Sequence, residues 1–394
     1  MTDFAEFFLP TRIRVGADVA KDLEGLFAER GVRQLLVISD RGVEKAGILR
    51  IVLADLGGQI EILAPFLDVP ADSDIDLIDR LAADLRAREA GGQSIGLLAV
   101  GGGSVIDTAK GVNLVRTLGG SIRDYQGYGV IDRPLGPFIA IPTTAGTGSE
   151  VTPFAVVKDG REKTKITFVS PYLAPQVALL IPPLTYSLPL SLTVETAMDA
   201  LTHAIEAYLS NDHNAFADAL AVGAMKMIAS ELPVLVGLLK AGNEEGVKSA
   251  RTKLLVASTM AGMAFSSALV GCVHALAHAL GGLYGVPHGL ANGVLLAPGL
   301  RFNLRAATQR LAEVGEALGA DRAGDSIDSK ALAAIEFIED LSGRLGLPRR
   351  LRDLGIPRES LGEIAQAAVQ DGAMFTNPRQ AEAEEIQAML EEIY

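Results

Sequence analysis

The sequence predicts an α/β N-terminal domain with a parallel, Rossmann-like sheet, followed by an all-α C-terminal domain. The first half of the chain alternates short apolar runs with amphipathic segments of helical spacing. Strand, helix, strand and helix in this order are typical of a parallel, doubly wound sheet. Beyond the prolines at 182–189 the strand pattern stops, and Ala and Leu recur at intervals of three and four. We therefore expect an α/β domain at 1–185 and a helical domain at 186–394.

The elements of the first domain can be assigned in order. An apolar-periodic segment follows the first strand, and helical spacing over 76–90 places Ile78, Leu81 and Leu85 on one face. Four short apolar runs are interpreted as buried strands, at 34–39, 60–63, 94–100 and 138–141. Their lengths and their alternation with helical segments support one continuous parallel sheet.

Composition excludes several classes of protein. A chain of 394 residues is too long for one ordinary core. The formal net charge of -13 argues against a nucleic-acid surface and against adhesion to an anionic membrane. The single cysteine, Cys272, permits neither an intrachain disulfide nor a thiolate zinc cluster, and is interpreted as a small buried residue. The N-terminal segment shows no secretory signal, so a cytoplasmic location is expected.

One uncharged stretch is long enough to span a bilayer. Residues 254–273 contain no charged side chain, but they include several hydroxyl side chains and two glycines. The stretch also runs directly into His274. We interpret it as a buried helix of the helical domain and expect no membrane association.

A glycine run follows the third predicted strand and precedes a helical segment. In Gly101-Gly102-Gly103-Ser104, main-chain N–H groups can approach a pyrophosphate, and the helix N-terminus adds partial positive charge. The spaced G-x-G-x-x-G pattern is absent, so a plain tight turn remains the alternative.

Two further segments suit a nucleotide. Asp40, just past the first strand, can accept hydrogen bonds from ribose hydroxyls and would repel a ribose phosphate, which favours NAD over NADP. An ordinary strand-end aspartate beside Arg41 is the alternative. The segment 142–150, PTTAGTGSE, places hydroxyls and glycines after a strand, where they suit contacts to phosphate or ribose. Its alternative is a threonine-rich turn that caps a helix.

The placement of histidines indicates a metal site. Asp199 and His203 are four residues apart in one helical segment and share a face, as do His274 and His278. His288 follows in the glycine- and proline-framed turn GVPHGLANG. A carboxylate with several imidazoles and no thiolate suits a divalent first-row ion such as Fe²⁺ or Zn²⁺.

A single aspartate–histidine pair at this spacing is more often a hydrogen-bonded core pair than a pair of ligands. Two such pairs and a framed histidine together favour the metal site over the core alternative. The remaining histidine, His213, lies in the segment SNDHNAF and is interpreted as an exposed loop residue.

Five motifs together resemble the iron-containing, metal-dependent alcohol dehydrogenases. They are GGGSVIDTAK, PTTAGTGSEVTPFAV, DALTHAIEAYLS, HALAHALGGLYGVPHG and FTNPR. They extend from the first domain to the last helices, so the resemblance covers essentially the whole chain. It implies the dehydroquinate synthase-like two-domain fold, with the site in the cleft between the domains.

The resemblance also assigns residues to roles. The family's metal ligands correspond to Asp199, His203, His274 and His288, while His278 corresponds to a catalytic non-ligand beside the nicotinamide and substrate. The family's cofactor contacts correspond to Asp40, Gly101, Gly102, Gly103, Ser104, Thr143, Thr144, Thr147, Ser149, Lys165 and Leu184.

The chain departs from the family pattern at three places. It has Pro182-Pro183 where many relatives have Asp-Pro, and Ala197 where glycine is usual. It has Ala71-Asp72-Ser73 where relatives have Asn-Pro-Thr. None of these changes removes a metal ligand. The change at Ala71-Asp72-Ser73 falls near the cofactor cleft, so the family's cofactor contacts in that segment need not be present in this chain.

The implied activity is hydride transfer between NAD and a primary alcohol, diol or hydroxy acid, with aldehyde reduction as the reverse reaction. NADP is the less favoured cofactor, Fe²⁺ the favoured metal and Zn²⁺ its alternative. A homodimer or larger homo-oligomer is implied. The alternatives are a glycerol-dehydrogenase-like or dehydroquinate-synthase-like enzyme of the same fold, or a non-catalytic, filament-forming relative.

Overall fold

A computed structural model describes residues 6–394 except 55, 57, 93, 128, 162–163, 321–323 and 325. The first five residues, which belong to the segment in which no secretory signal was predicted, lie outside the described residues. The described chain divides into two compact units. The α/β unit comprises residues 9–144 and 148–187, and the helical unit comprises residues 6–8, 145–147 and 188–394.

Parallel strands form the centre of the α/β unit. The strands are β1 (Arg12–Val15), β2 (Gln34–Ile38), β3 (Glu61–Ile62), β4 (Ile95–Gly101), β5 (Phe138–Pro142), β6 (Phe154–Asp159), β7 (Thr164–Val169) and β8 (Val177–Leu180). Among the described residues, six of them form a sheet of order β1-β8-β5-β4-β2-β3 in which every neighbouring pair is parallel. The strands β6 and β7 form a separate antiparallel pair.

Helices cover both faces of this sheet. They are α1 (Leu23–Ala28), α2 (Arg41–Lys45), α3 (Ile48–Leu53), α4 (Ile75–Glu89) and α5 (Gly103–Leu118). Successive residues of a strand point to opposite faces. Accordingly, Leu97 packs in one core layer with α4 and α5, and Leu98 packs in the other with α1 to α3. Burial on both faces explains why the central strands are continuously apolar.

The predicted parallel sheet is confirmed, and the four predicted strands correspond to β2, β3, β4 and β5. The sequence analysis missed β1, β8 and the β6–β7 pair. The strand β1, RIRV, alternates arginine with aliphatic residues because it lies at an edge of the sheet. In β6 half-buried and buried residues alternate, and β7 is mostly exposed or half-buried, whereas the central strand β4 is buried throughout.

The helical unit contains long, apolar helices. They are α6 (Leu190–Leu209), α7 (Ala215–Lys240), α8 (Glu244–Ala268), α9 (Cys272–Tyr284), α10 (His288–Asn303), α11 (Thr308–Leu318), α12 (Ile327–Leu345), α13 (Leu361–Val369) and α14 (Ala383–Glu392). No strand is assigned among the described residues after β8, so the predicted helical C-terminal region is confirmed. Within the described residues, α7 alone is long and apolar enough to cross a bilayer as one straight helix. Core helices of globular proteins meet the same criteria.

The prediction of one buried helix over 254–273 was wrong. Helix α8 ends at Ala268, α9 begins at Cys272, and the two axes differ in direction by 102°. Leu269 adopts a positive φ of 63°, which is costly for a residue with a branched side chain and ends α8. At Gly271 a Cβ would lie 2.7 Å from Asn377 Oδ1, so only glycine fits this bend.

Candidate metal centre

Four predicted side chains meet inside the helical unit. Asp199 and His203 lie one turn apart on α6, His274 lies on α9, and His288 is the first residue of α10. One potential ligand atom from each lies within 4.8 Å of all the others. Asp199 Oδ1 is 3.9 Å from His203 Nε2, 3.8 Å from His274 Nε2 and 3.4 Å from His288 Nε2.

This donor set fits a divalent first-row ion. Metal–ligand bonds of about 2.0–2.2 Å separate tetrahedral ligand atoms by roughly 3.4 Å, close to the distances between Asp199 and the three imidazoles. Imidazole nitrogen and carboxylate oxygen suit iron or zinc, and the only cysteine, Cys272, is not among the four. His288 is the most exposed of them, with 31% of its side chain accessible, so a small molecule can approach on that side.

Burial keeps two of the imidazoles neutral. Desolvation lowers the pKa of His203 and takes the pKa of His274 well below its ordinary value. Neighbouring carboxylates oppose the shift at His203, but they do not reverse it. Neutral rings retain a nitrogen lone pair at neutral pH, and only that form binds a metal ion.

A buried carboxylate missed by the sequence analysis orients His274. Glu206 Oε2 lies 2.6 Å from His274 Nδ1 and accepts the proton there, which leaves Nε2 free to face the other ligands. The same carboxylate accepts the main-chain N–H groups of Val273 at 2.7 Å and His274 at 3.2 Å. Burial raises the pKa of Glu206 to about 7, and these N–H groups oppose that rise.

The N-terminus of α9 is capped from outside the helix. Gly271, the residue before the helix, has no side chain that could cap the free N–H groups. Instead, Asn377 Oδ1 accepts a hydrogen bond from Cys272 N at 3.1 Å, and Glu206 accepts hydrogen bonds from the following two main-chain N–H groups. Asn377 is held in turn by Asn303 in a reciprocal amide pair, with both bonds 2.9 Å long. The asparagine of FTNPR therefore fixes the start of the helix that carries His274.

Asn292, which the sequence analysis did not predict as a site residue, lies in contact with the potential ligand atoms. Its Nδ2 donates to Asp199 Oδ1 at 2.6 Å and lies 3.3 Å and 3.2 Å from the Nε2 atoms of His274 and His288. It is fully buried on α10, one turn after His288. The donated bond fixes the rotamer of the Asp199 carboxylate.

His278 is close to the four residues but is not one of them. Its ring stacks on that of His288, with centroids 5.5 Å apart and an interplanar angle of 13°. Its Nδ1 lies 2.9 Å from Asp371 Oδ2, a partner that the sequence analysis missed. The hydrogen bond to His278 contributes to lowering the pKa of Asp371, although burial opposes it. The pair is suited to hold and pass a proton.

His213 lies elsewhere in the helical unit. Its Nδ1 is 3.3 Å from Asp218 Oδ2, and 28% of its side chain is accessible. The predicted exposed loop residue is therefore half-buried beside a carboxylate. It belongs to a surface network in which Arg310 also binds Asp218, at 2.6 Å.

The glycine run occupies the strand-to-helix turn that was predicted for it. Gly101 ends β4, Gly102 precedes α5, and Gly103 is the first residue of that helix. A Cβ on Gly101 would lie 2.5 Å from Val105 Cγ2, so the turn requires glycine there. The Ser104 hydroxyl donates to the carbonyl of Ala71.

The second predicted loop begins beside the first. Thr143 N donates to Gly101 O at 3.0 Å, and the Thr144 side chain lies against Gly102. Thr147 belongs to the short segment 145–147 that clusters with the helical unit. Ser149 is buried, donates to Asp107 and accepts from the Lys110 ammonium at 3.0 Å, so its hydroxyl joins an internal network.

The other predicted cofactor residues have partners within the α/β unit. Asp40 caps α2, since its Oδ1 accepts from Gly42 N at 2.7 Å and Val43 N at 2.9 Å. Lys165 pairs with Asp72 at 2.8 Å, in the segment that departs from the family pattern. Leu184 is buried and lines a small pocket with aliphatic residues of α3.

Family models match both parts of the chain. The model described as iron-containing alcohol dehydrogenase matches residues 10–182, and the C-terminal model of the Fe-containing alcohol dehydrogenase family matches residues 193–394. The chain belongs to the iron-containing alcohol dehydrogenase family. The predicted family, oxidoreductase class and metal dependence are thereby confirmed.

Individual relatives agree with the family. The chain is 38% identical over 392 residues to the 1,3-propanediol dehydrogenase of Klebsiella pneumoniae, covering 98% of this chain and 96% of that protein. It is 34% identical over 383 residues to the NAD-dependent methanol dehydrogenase of Bacillus methanolicus, covering 96% of this chain and 97% of that protein. A crystal structure of 1,3-propanediol oxidoreductase superposes with a TM-score of 0.92 at 36% identity, covering 99% and 100%. The protein is therefore a metal-dependent alcohol dehydrogenase in its class of activity.

Proposed function

We propose that the protein oxidises a primary alcohol, diol or hydroxy acid with NAD, and reduces the corresponding aldehyde in reverse. The observation that carries the proposal is the cluster of Asp199, His203, His274 and His288, whose ligand atoms lie within 4.8 Å of one another. These four residues would hold one divalent ion, Fe²⁺ in preference to Zn²⁺. When bound, the metal supplies a Lewis acid for the alcohol oxygen, and NAD supplies the hydride acceptor.

The chain's own residues prepare this chemistry. Glu206 fixes the tautomer of His274, and Asn292 fixes the carboxylate of Asp199. His278, oriented by Asp371, would take the hydroxyl proton of the substrate and pass it towards solvent. Its partial exposure supports this role, because a proton relay needs one end in contact with water.

For the cofactor, we propose binding at the carboxyl ends of the α/β strands. The turn at Gly101–Gly103 and the N-terminus of α5 would bind the pyrophosphate, together with Ser104, Thr143, Thr144 and Thr147. Asp40 would select NAD over NADP through its charge, even though one of its oxygens caps α2. Cofactor contacts by Ser149, Lys165 and Leu184 are proposed from the family resemblance alone. The hydrogen bonds of Ser149 and the ion pair of Lys165 also stabilise the α/β unit.

Domain roles, assembly and location are proposals as well. We assign NAD binding to 1–185 and metal binding with catalysis to 186–394. A homodimer or larger homo-oligomer is supported by β1, an edge strand in the described sheet on which a second copy can pair. A cytoplasmic location is supported by the single cysteine, which requires no oxidising compartment.

The direct test is NADH formation by anaerobically purified protein loaded with Fe²⁺, across primary alcohols, diols and hydroxy acids. Metal-dependent NADH production supports the proposal, and its loss with a chelator assigns the activity to the metal. Failure to bind NADH, or phosphate release from a sugar phosphate without net NADH formation, would contradict it.

A further inference from the structure

One carboxylate on the metal-facing side of α6 is not used by the mechanism above. Glu195, Asp199 and His203 recur at intervals of four residues and therefore share one face of the helix. Since Asp199 and His203 both contribute to the metal centre, Glu195 lies on the same stripe, about 6 Å further along the helix axis.

The packing of α6 against α10 places the main chain of Glu195 beside Gly289, the residue that follows the proposed metal ligand His288. A Cβ built on Gly289, the residue after His288, would lie 2.4 Å from the main-chain oxygen of Glu195. The two helices thus touch at the level of Glu195, one residue from a ligand. The next residue, Thr196, lies close to Gly146 in the segment 145–147, where a Cβ on the glycine would be 2.7 Å from Thr196 Cβ.

Glu195 differs from the other carboxylates around the metal centre. Asp199 accepts from Asn292, Glu206 from His274, and Asp371 lies against His278. Glu195 is half-buried and has no hydrogen-bond donor or cation among the described residues. Desolvation raises the pKa of its carboxyl group, and nothing opposes that rise. A partly desolvated carboxyl group next to a reaction centre, with no hydrogen-bond donor from the protein, is expected to accept its hydrogen bond from the bound substrate.

We propose that Glu195 determines substrate specificity: its carboxylate accepts a hydrogen bond from the second hydroxyl of a short diol and rejects substrates with an anionic group there. This inference rests on the proposed function and narrows it to uncharged substrates with two hydroxyl groups. The axial offset of about 6 Å suits a diol whose hydroxyls are separated by about two to four carbons. An anion at the same point would be repelled by Glu195.

A series of three-carbon alcohols isolates this interaction. Propan-1-ol, propane-1,3-diol and 3-hydroxypropanoate differ only in the group at the far carbon. For the metal-loaded wild type, we expect kcat/KM to be at least about tenfold higher for the diol than for 3-hydroxypropanoate. In E195Q the ratio of diol to propan-1-ol should fall about tenfold, while the ratio of 3-hydroxypropanoate to propan-1-ol should rise. E336Q, which changes an exposed glutamate of α12, is the matched control and should keep the wild-type ratios.

Binding measurements separate this inference from the proposed function. Calorimetric titration of the diol and of 3-hydroxypropanoate into the metal-loaded protein with NADH needs no turnover, and the preference for the diol should collapse in both E195Q and E195A. Unchanged preferences in both variants would overturn the inference even if alcohol oxidation is observed. An about tenfold loss of NADH affinity in E195Q would also overturn it, because Glu195 would then contact the cofactor.

Discussion

Two histidines in and beside the candidate metal centre depend on a second side chain that sets the orientation of the ring. Glu206 fixes His274, and Asp371 fixes His278, both through Nδ1. A ring held at Nδ1 presents Nε2 in one direction, so the two carboxylates decide which nitrogen faces the reaction centre. Their loss is expected to affect different properties, because Glu206 supports a proposed metal ligand and Asp371 a proposed proton carrier.

Replacement of Glu206 by Gln should weaken metal binding about 10- to 100-fold. The amide offers a weaker acceptor to His274 Nδ1 and to the N–H groups that begin α9. The metal dissociation constant, measured by competition with a chelator, checks this. Glu336→Gln serves as the control, and an affinity within twofold of wild type would contradict the role of Glu206.

Replacement of Asp371 by Asn should leave metal content unchanged and lower kcat by about tenfold or more. Without the carboxylate, His278 loses the acceptor at Nδ1 that orients its ring. Steady-state kinetics with metal analysis provides the measurement, and Asp353→Asn, at an exposed position, is the control. A variant with full kcat would remove Asp371 from the proton path.

The two histidines that stack on each other should respond differently to truncation. His288→Ala removes a proposed ligand and should abolish metal binding and activity together. His278→Ala should retain the metal and lower turnover by about 100-fold. Metal content and kcat of the two variants are compared, and equal metal loss in both would contradict the separation of ligand from proton carrier.

At the scale of elements, the bend between α8 and α9 controls the geometry of the site. Its position depends on Gly271, where Asn377 and Glu206 approach too closely for any side chain. These acceptors replace the carbonyl groups that a continuing helix would have supplied. The helix that carries His274 therefore starts where tertiary contacts permit, and periodicity alone did not reveal the start.

Gly271→Ala should destabilise the protein by about 1–3 kcal/mol and weaken metal binding. The added methyl group would displace Asn377 or Glu206, whose oxygens lie 2.7 Å and 3.0 Å from it. Gly237→Ala is the matched control, since no atom lies within 4 Å of the new Cβ within α7, and it should stabilise by about 0.5–1 kcal/mol. Denaturant unfolding distinguishes the two, and equal effects would contradict the role of the bend.

At the scale of the whole molecule, metal binding and stability are linked. The four proposed ligands come from three helices, so an ion bound by all of them would stabilise only the folded helical unit. At a free metal concentration of about 1,000 times its dissociation constant, the stabilisation is about 4 kcal/mol. Chelation should therefore lower the thermal midpoint, and readdition of metal should restore it. The His288→Ala variant should show neither response; a full response in that variant would place the metal elsewhere.

Sequence patterns determined much of the fold and the local parts of the site. Continuous apolar runs revealed the strands buried on both faces, and the glycine run revealed the turn between β4 and α5. Spacing of four residues placed Asp199 with His203 on one helix face. These features depend on a few neighbouring residues, which is why one sequence sufficed to predict them.

Contacts between distant parts of the chain were decided only by the tertiary structure. Glu206 lies 68 residues from His274, and Asp371 lies 93 residues from His278. Glu206 lies three residues after His203 and therefore shares its helix face, but this spacing does not reveal that Glu206 contacts His274 on another helix. No local spacing connects Asp371 with His278. The edge strand β1 and the end of α8 were not predicted for the same reason: their positions depend on contacts with elements that are distant in the sequence. The sequence by itself determined the family motifs and the candidate residues for metal and nucleotide binding. Packing of the helices decided which acids contact the histidines, because burial and hydrogen bonding depend on through-space neighbours.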